Sequence, residues 1–268
     1  MGFKSGLVLP SKTVHLNEAL RFREGAAVVK ARPMTSILVT GTSRGIGHAI
    51  AEDLIARGNR VIGQSTKGGE NQIAADFTEP GASQRLWDDA LACADGEIDI
   101  LVNNAGLFDP VPLTAANEDW SAGWARGLAI NLQAPADLCR LAIAHWRARG
   151  TGGRIVNIAS RAAYRGDGID YGHYAAAKAG LVGLSKTLAR GLASEDILVF
   201  TITPGYVMTG MAEDYLASRG GEKLLADIPL GRVATPEEIA SITSYCALDA
   251  PASMTGAVID ANGASFVR

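Results

Sequence analysis

Short runs of β-branched and aliphatic residues alternate with longer amphipathic segments from Ser36 onward. The short runs predict seven β-strands, at residues 37–40, 60–63, 73–75, 98–103, 154–159, 198–202 and 257–260. The amphipathic segments predict helices at residues 45–58, 82–94, 117–148 (whole or broken), 172–193, 209–218 and 235–248. This alternation is typical of βαβ units, whose right-handed crossovers build a Rossmann-type, doubly wound α/β fold with a parallel sheet flanked by helices.

The domain organisation follows from size and charge. The chain has 268 residues, of which 47% are apolar, and a mean hydropathy of +0.11, so residues 34–268 can bury the core of a single domain. Six basic and two acidic residues give residues 1–33 a charge of +4, against −7 for the remainder. We interpret residues 1–33 as a basic N-terminal extension, flexible or partner-docking. Alternatives are a transit peptide, or a natural start at Met34.

Composition argues against several classes of protein. A net charge of −3 does not suit a nucleic-acid partner and favours a small-molecule one. Cys93, Cys139 and Cys246 lie far apart and lack His at ligand spacing, which argues against a metal site or a disulfide framework. No apolar run reaches the roughly 18 residues of a membrane span, so we expect a soluble protein of the reducing cytoplasm.

A glycine-rich loop follows the first predicted strand. It reads Thr40-Gly-Thr-Ser-Arg-Gly-Ile-Gly47 and leads directly into a predicted helix. Glycines at such a turn let the backbone approach a pyrophosphate, which the helix N-terminus then faces with free N–H groups. Glycine also ends strands for purely steric reasons, but the position after the first strand of a βαβ unit favours dinucleotide binding.

The end of the second strand bears on the choice of dinucleotide. An acidic residue usually holds the adenosine ribose there, whereas this segment reads Val61-Ile-Gly-Gln-Ser-Thr-Lys67 without a carboxylate. Ser65, Thr66, Lys67 and Arg44 can instead donate to a 2′-phosphate, so NADP(H) is favoured over NAD(H). The alternative is that Arg44 and Lys67 are ordinary solvated charges.

The stretch Tyr174-Ala-Ala-Ala-Lys178 places a phenol and an ammonium four residues apart in a predicted helix, hence on one face. A nearby cation stabilises a phenolate, so Lys178 is expected to lower the pKa of Tyr174. Tyr171 is a rival candidate, but Ala175 follows it four residues on. Taken alone, the pair also fits an ordinary surface helix.

Together these motifs resemble the short-chain dehydrogenase/reductase family, and the resemblance covers all but residues 1–33. The matching positions are the TGTSRGIG loop, Asp76, Asn103-Asn-Ala-Gly106, Asn131, Ser160, Tyr174, Lys178, Pro204-Gly205 and Thr209.

The resemblance implies four catalytic residues. Tyr174 would be the general acid or base, and Lys178 would also bond the nicotinamide ribose. Ser160 would orient the substrate oxygen, and Asn131 would support a water near the lysine. Alternatively, Asn131 merely distorts or caps its helix.

The resemblance and the loop chemistry together also imply the cofactor contacts. These are Gly41, Ser43, Arg44, Gly45, Ile46, Gly47, Ser65, Thr66, Asp76, Phe77, Asn103, Ala105, Gly106, Tyr174, Lys178, Pro204, Gly205, Val207 and Thr209. Asp76 and Asn103 can equally be turn residues that bond the local backbone. Residues 206–228 would form a substrate lid, with Phe108, Ala162, Tyr164, Tyr171 and Tyr206 bordering the substrate. No metal is implied.

The function implied is NADP(H)-dependent interconversion of a ketone and a secondary alcohol, with similarity to reductases of 3-oxoacyl carrier-protein thioesters. A homotetramer or homodimer is expected. However, Thr151 and Glu195 stand where such reductases often present basic residues. Alternatives are an NAD-linked sugar or polyol dehydrogenase, and a dinucleotide-sensing regulatory protein with little turnover.

Overall fold

A seven-stranded parallel sheet forms the centre of the molecule in a computed structural model that describes residues 34–209 and 221–268. The strands are β1 (Ser36–Thr40), β2 (Arg60–Ser65), β3 (Gln72–Ala74), β4 (Ile100–Asn103), β5 (Gly153–Ile158), β6 (Ile197–Pro204) and β7 (Val258–Ala261). They pair in the order β3-β2-β1-β4-β5-β6-β7. The predicted α/β class, strand number and parallel pairing are therefore confirmed.

Helices cover both faces of this sheet. Within the described residues they are α1 (Gly45–Ala56), α2 (Ala82–Cys93), α3 (Asn117–Leu128), α4 (Ala134–Arg149), α5 (Ala162–Arg165), α6 (Gly172–Leu192), α7 (Gly221–Ala226) and α8 (Pro236–Ser244). The predicted helix at residues 117–148 is broken by a π-helical turn at Ala129–Gln133. Most of the predicted helix at residues 209–218, and the whole of the predicted extension at residues 1–33, lie outside the described residues.

Two buried clusters fill the spaces between sheet and helices. Leu38 of β1 belongs to the cluster shared with α2, α4 and α6, whereas Ile37 and Val39 belong to the cluster shared with α1 and α8. Successive strand residues point to opposite faces, and both faces are covered. For that reason the central strands appear in the sequence as continuous apolar runs, and all eight residues of β6 are buried.

The connection between β2 and β3 is short and lacks a helix. Parallel neighbours usually need a crossover of a dozen or more residues, but residues 66–71 alone join these two strands. A tight turn makes this possible, in which Gly69 and Gln72 exchange backbone hydrogen bonds of 3.2 and 3.1 Å and Asn71 has a φ of +60°. The turn keeps the end of β2 beside the glycine-rich loop, where the Gln72 amide donates to the Thr42 carbonyl at 3.4 Å.

Candidate active site

The glycine-rich loop packs against the turn after β4, and glycine is needed for the fit. Gly41 has a φ of +73°, and a Cβ there would lie 2.8 Å from the Cα of Ala105. A Cβ on Gly47 would overlap the carbonyl oxygen of Gly41 and the side-chain amide of Asn104. The sequence thus places glycines where any side chain would push the loop away from its support.

Three polar residues fix this loop. The Thr40 hydroxyl oxygen accepts hydrogen bonds from the backbone N–H groups of Asn104 and Ala105, each at 3.0 Å. The Asn104 amide donates to the carbonyls of Thr40 and Gly41. The buried Gln64 side chain accepts from the Gly41 N–H at 2.9 Å and donates to the Ala75 carbonyl at 2.8 Å. Sequence analysis did not assign these roles, although a glutamine at the end of a buried strand is itself a signal.

Replacing Gly47 with alanine should weaken NADPH binding by about tenfold or more, or roughly 1.4 kcal/mol, because the new methyl group displaces the Gly41 carbonyl and the loop with it. Titration of protein fluorescence with NADPH measures the loss. Gly191→Ala is the matched control, since a Cβ at Gly191 meets nothing within 4 Å. Equal NADPH affinity in both variants would contradict a role of this loop in cofactor binding.

The other predicted cofactor contacts divide into two groups. Ser43 and Arg44 are exposed at the start of α1. The Thr209 side chain would lie 3.0 Å from a Cβ on Gly45, so the chain after β6 contacts the glycine-rich loop. Thr66 is also exposed, whereas Ser65 is buried and donates to the Gly68 carbonyl. By contrast, three residues have apolar side chains packed into or against the core clusters: Ile46, Phe77 and Val207.

Two predicted contacts have side chains already engaged within the protein. The Asp76 carboxylate accepts from the backbone N–H and hydroxyl of Thr78 at 2.9 and 2.7 Å, which lowers its pKa. The Asn103 side chain is buried and donates to Asn157 Oδ1 at 2.8 Å and to Cys139 Sγ at 3.4 Å. The turn interpretation therefore fits Asp76. Asn103 links β4 to β5 and α4 through its side-chain nitrogen, while its buried side-chain oxygen has no hydrogen-bond partner among the described residues.

Tyr174 and Lys178 lie on one face of α6, as their spacing predicts. The Lys178 ammonium is buried, lies 5.8 Å from the centre of the Tyr174 ring, and donates to the Ile158 carbonyl at 2.9 Å. A Cβ on Gly106 would lie 3.7 Å from the Lys178 nitrogen, so the turn after β4 closes the other side. The pair therefore sits at the carboxyl ends of β4 and β5, where open α/β sheets bind their ligands.

The protonation state of this pair differs from the expectation. Burial raises the pKa of Tyr174 to about 12, and a hydrogen bond with Ser160 opposes this increase only in part. Burial lowers the pKa of Lys178 to about 8. The expected lowering of the Tyr174 pKa is not found in the protein without ligands, because desolvation of the phenolate dominates. Tyr174 is a neutral phenol at neutral pH.

Ser160 and an aromatic wall complete the surroundings of Tyr174. The Ser160 hydroxyl oxygen accepts from the Ala162 N–H at 3.1 Å, which orients it at the end of β5. Phe108 meets Tyr174 edge-on at 4.8 Å and stacks on Tyr171 at 4.1 Å. Tyr164 was predicted to border the substrate as well, but it stacks on Phe266 of the C-terminal segment instead.

Asn131 lies in the π-helical turn between α3 and α4. Its oxygen accepts from the Leu107 N–H at 3.0 Å, and its nitrogen donates to the carbonyls of Leu107 and Gly127 at 2.9 and 3.1 Å. A Cβ on Gly106 would lie 3.1 Å from the Asn131 oxygen, so Asn131 and Lys178 flank the same glycine. Because both amide donors are used, the side chain locks the helix break against the turn after β4.

Comparisons with known proteins identify the family of this chain. A family model described as enoyl-(acyl carrier protein) reductase matches residues 41–263. The chain belongs to the short-chain dehydrogenase/reductase family. It is 37% identical over 245 residues to the 3-oxoacyl-[acyl-carrier-protein] reductase FabG of Escherichia coli, covering 86% of this chain and 96% of that protein. The corresponding Aquifex aeolicus reductase is 33% identical over 251 residues, covering 85% and 96%.

A solved structure extends the comparison to a bound cofactor. The crystal structure of an Agrobacterium tumefaciens protein described as a 2-deoxy-d-gluconate 3-dehydrogenase, with bound NADP, has a TM-score of 0.75 and 30% identity and covers 85% of this chain and 95% of that chain. As a member of the short-chain dehydrogenase/reductase family, the protein is an NAD(P)-dependent oxidoreductase. No helix in the described ranges is both long and apolar enough to cross a bilayer.

Proposed function

We propose that this protein is an NADP(H)-dependent reductase that converts a ketone into a secondary alcohol. The observation that carries the proposal is the convergence of Ser160, Tyr174 and Lys178 in one pocket beside the glycine-rich loop. When bound, the cofactor supplies the hydride. Tyr174 supplies the proton to the carbonyl oxygen, Ser160 orients that oxygen, and Asn131 positions the Lys178 side of the pocket.

The raised pKa of Tyr174 suits the role of proton donor in ketone reduction. A phenol with a pKa of about 12 keeps its proton throughout the neutral range and can donate it to an alkoxide that develops as hydride arrives. Oxidation of an alcohol requires the phenolate, which burial disfavours here. The buried Lys178 ammonium stabilises the phenolate formed after proton donation, because the two groups share a pocket of low dielectric constant.

NADP(H) is preferred to NAD(H) in this proposal. A solved relative binds NADP, and the β2 end has no carboxylate to repel a 2′-phosphate and leaves the Thr66 hydroxyl exposed. Exposed Arg44, at the entrance to α1, adds a positive charge that can pair with that phosphate.

The proposed substrate belongs to a particular class of ketones. Similarity to reductases of 3-oxoacyl carrier-protein thioesters supports an oxoacyl compound. However, Arg147 pairs bidentately with Glu195 at 2.7 Å, and Arg149 lies within 3.5 Å of Glu97 and Asp99, so these arginines are not free for an acidic carrier protein. The relative described as a sugar-acid dehydrogenase favours a second candidate, a hydroxylated oxo acid.

The same proposal covers assembly and location. We infer a homotetramer or homodimer in the cytoplasm, acting on a small molecule, from the resemblance to soluble reductases of this family. Residues 206–228 remain the proposed lid, and its central part lies outside the described residues.

The proposal is tested by following NADPH absorbance with a panel of simple ketones, oxoacyl thioesters, oxo sugars and quinones. Turnover of at least one ketone is expected, with a higher kcat/KM for NADPH than for NADH. Parallel titrations with NADP and NAD separate cofactor choice from catalysis. NADPH binding without turnover of any panel member would favour the dinucleotide-sensing alternative.

A further inference from the structure

A pair of arginines lies directly after Ser160, and the proposed reaction does not use them. Arg161 follows the serine and is only 7% exposed, and its Nη1 lies 3.6 Å from Oδ2 of Asp227. Arg165 ends α5, and its Nη1 donates to the same Asp227 oxygen at 2.7 Å and to the Ser265 carbonyl at 3.1 Å. One carboxylate oxygen is therefore shared by two guanidinium groups.

This sharing leaves Arg161 short of hydrogen bonds. Its Nη1 is buried from solvent and has no hydrogen-bond partner among the described residues, because the Asp227 oxygen lies beyond hydrogen-bond distance. The guanidinium also lies over the face of the Tyr206 ring, 4.6 Å from its centre. A buried charged donor without an acceptor is costly, so a site that keeps one is suited to an acceptor that arrives with a ligand.

Aromatic side chains connect this arginine to the proton donor. Tyr206 covers the Arg161 guanidinium and lies near enough to Tyr171 to influence its pKa. Tyr171 stacks on Phe108, and Phe108 meets Tyr174 edge-on. The guanidinium therefore lies at the far end of the wall that borders the reacting carbonyl.

We propose that Arg161 and Arg165 bind a carboxylate of the ketone substrate, and that Asp227 occupies this position before the substrate arrives. The inference rests on the proposed reduction and narrows its substrate to oxo acids. Two guanidiniums against one carboxylate leave a local charge of +1, which an anionic ligand neutralises. The planar fork of arginine matches the two oxygens of a carboxylate better than the single shared oxygen of Asp227.

The neighbouring acids set the orientation of such a substrate. Burial raises the pKa of both Tyr171 and Tyr174, and the charge of Asp167 adds to the increase, so negative charge already lies near the two tyrosines. A substrate carboxylate there would be repelled. The substrate carboxylate would therefore lie beside Arg161 and Arg165, with the ketone directed toward Tyr174.

The test compares straight-chain oxo acids with their methyl esters, which carry the same ketone without the charge. Wild-type protein should show a kcat/KM at least about tenfold higher for the best acid than for its ester, because charge-assisted hydrogen bonds are lost in the ester. Arg161→Gln and Arg165→Gln should each remove most of this preference while the ester is still reduced. Arg232→Gln is the matched control, since Arg232 lies in the chain before α8 and pairs bidentately with Glu238 of that helix.

Asp227→Asn gives a prediction of opposite sign. If Asp227 competes with the substrate carboxylate, removing its charge should lower KM for the oxo acid by about threefold and leave KM for the ester unchanged. If the arginine–aspartate contacts only hold the fold together, Asp227→Asn should instead raise both KM values and lower the unfolding temperature. That outcome would overturn the inference.

Two measurements distinguish failure of the carboxylate site from failure of the proposed reductase activity. Binding of the oxo acid to protein loaded with oxidised NADP, measured by calorimetry and lost in Arg165→Gln, would support the carboxylate site even without turnover. Equal kcat/KM for acid and ester would overturn the site and leave the reductase proposal intact. Failure of both acid and ester to bind would also overturn the site.

Discussion

Replacing Tyr174 with phenylalanine is expected to lower kcat for ketone reduction by about 10²–10⁴-fold, the usual contribution of a positioned acid. The substitution removes only the hydroxyl group, so the edge-on contact with Phe108 at 4.8 Å is retained. The proton donor is lost, while the glycine-rich loop is untouched. NADPH absorbance measures kcat, and a fluorescence titration should show an NADPH affinity close to that of the wild type.

Tyr171→Phe is the control for this prediction. Tyr171 lies in the same aromatic wall and stacks on Phe108 at 4.1 Å, but the residue four positions later is Ala175 rather than a lysine. Its loss of a hydroxyl group should change kcat only slightly. A decrease in Tyr171→Phe as large as that in Tyr174→Phe would show that the assignment of the acid is wrong.

Replacing Lys178 with methionine is expected to lower kcat by about 10²–10³-fold, the loss typical of removing one charge-stabilising group from an active site. The change keeps an unbranched side chain but removes the buried ammonium and its hydrogen bond to the Ile158 carbonyl. The phenolate then forms without the Lys178 charge, and the Ser160 hydrogen bond remains to stabilise it. The matched surface control is Lys186→Met on the same helix.

The pH dependence of the wild type gives the sign of the Lys178 effect. Because the pKa of Lys178 is about 8, its ammonium is present below that pH, and reduction should decline as pH rises through about 8. Lys178→Met should lack this inflection. An inflection near pH 8 that persists in Lys178→Met would assign it to another group.

The same shift has a consequence for stability. Lys178 has a pKa of 10.5 in an exposed state and about 8 in the fold, so between these values the unfolded chain binds more protons. The contribution of this group to the free energy of unfolding is therefore largest above pH 10.5 and is lost as pH falls toward 8. Across this pH window, the free energy of unfolding measured with urea should rise with pH more steeply for the wild type than for Lys178→Met.

Much of the fold could be predicted because alternation and burial leave a direct record in the sequence. A strand covered on both faces, such as β6, is largely apolar, as its run Ile197-Leu-Val-Phe200 shows, and that pattern identifies it without a structure. The position of the π-helical turn at Ala129–Gln133 and the tight turn that joins β2 to β3 were not predictable in detail. Both depend on contacts with distant residues, such as the bond from Gln72 to Thr42.

The candidate site could be predicted where spacing alone brings groups together. The four-residue interval places Tyr174 and Lys178 on one helix face, and the structure brings them together with Ser160. The predicted direction of the Tyr174 pKa shift was wrong. Desolvation depends on how Phe108 and neighbouring elements enclose the phenol, and the sequence does not show this. The proposed role of Arg161 could not be inferred from the sequence either, since its partner Asp227 lies 66 positions away along the chain.

Transfer of a proton from Tyr174 together with hydride can be tested by single-turnover reduction in H₂O and D₂O, using NADPH with hydrogen or deuterium at the transferring carbon. If Tyr174 donates its proton as hydride moves, wild-type reduction should be slower with deuterium in either place, and the residual reaction of Tyr174→Phe should lose much of the solvent effect. A wild-type rate that responds to deuterium on NADPH but is identical in the two solvents would contradict proton donation by Tyr174 in that step.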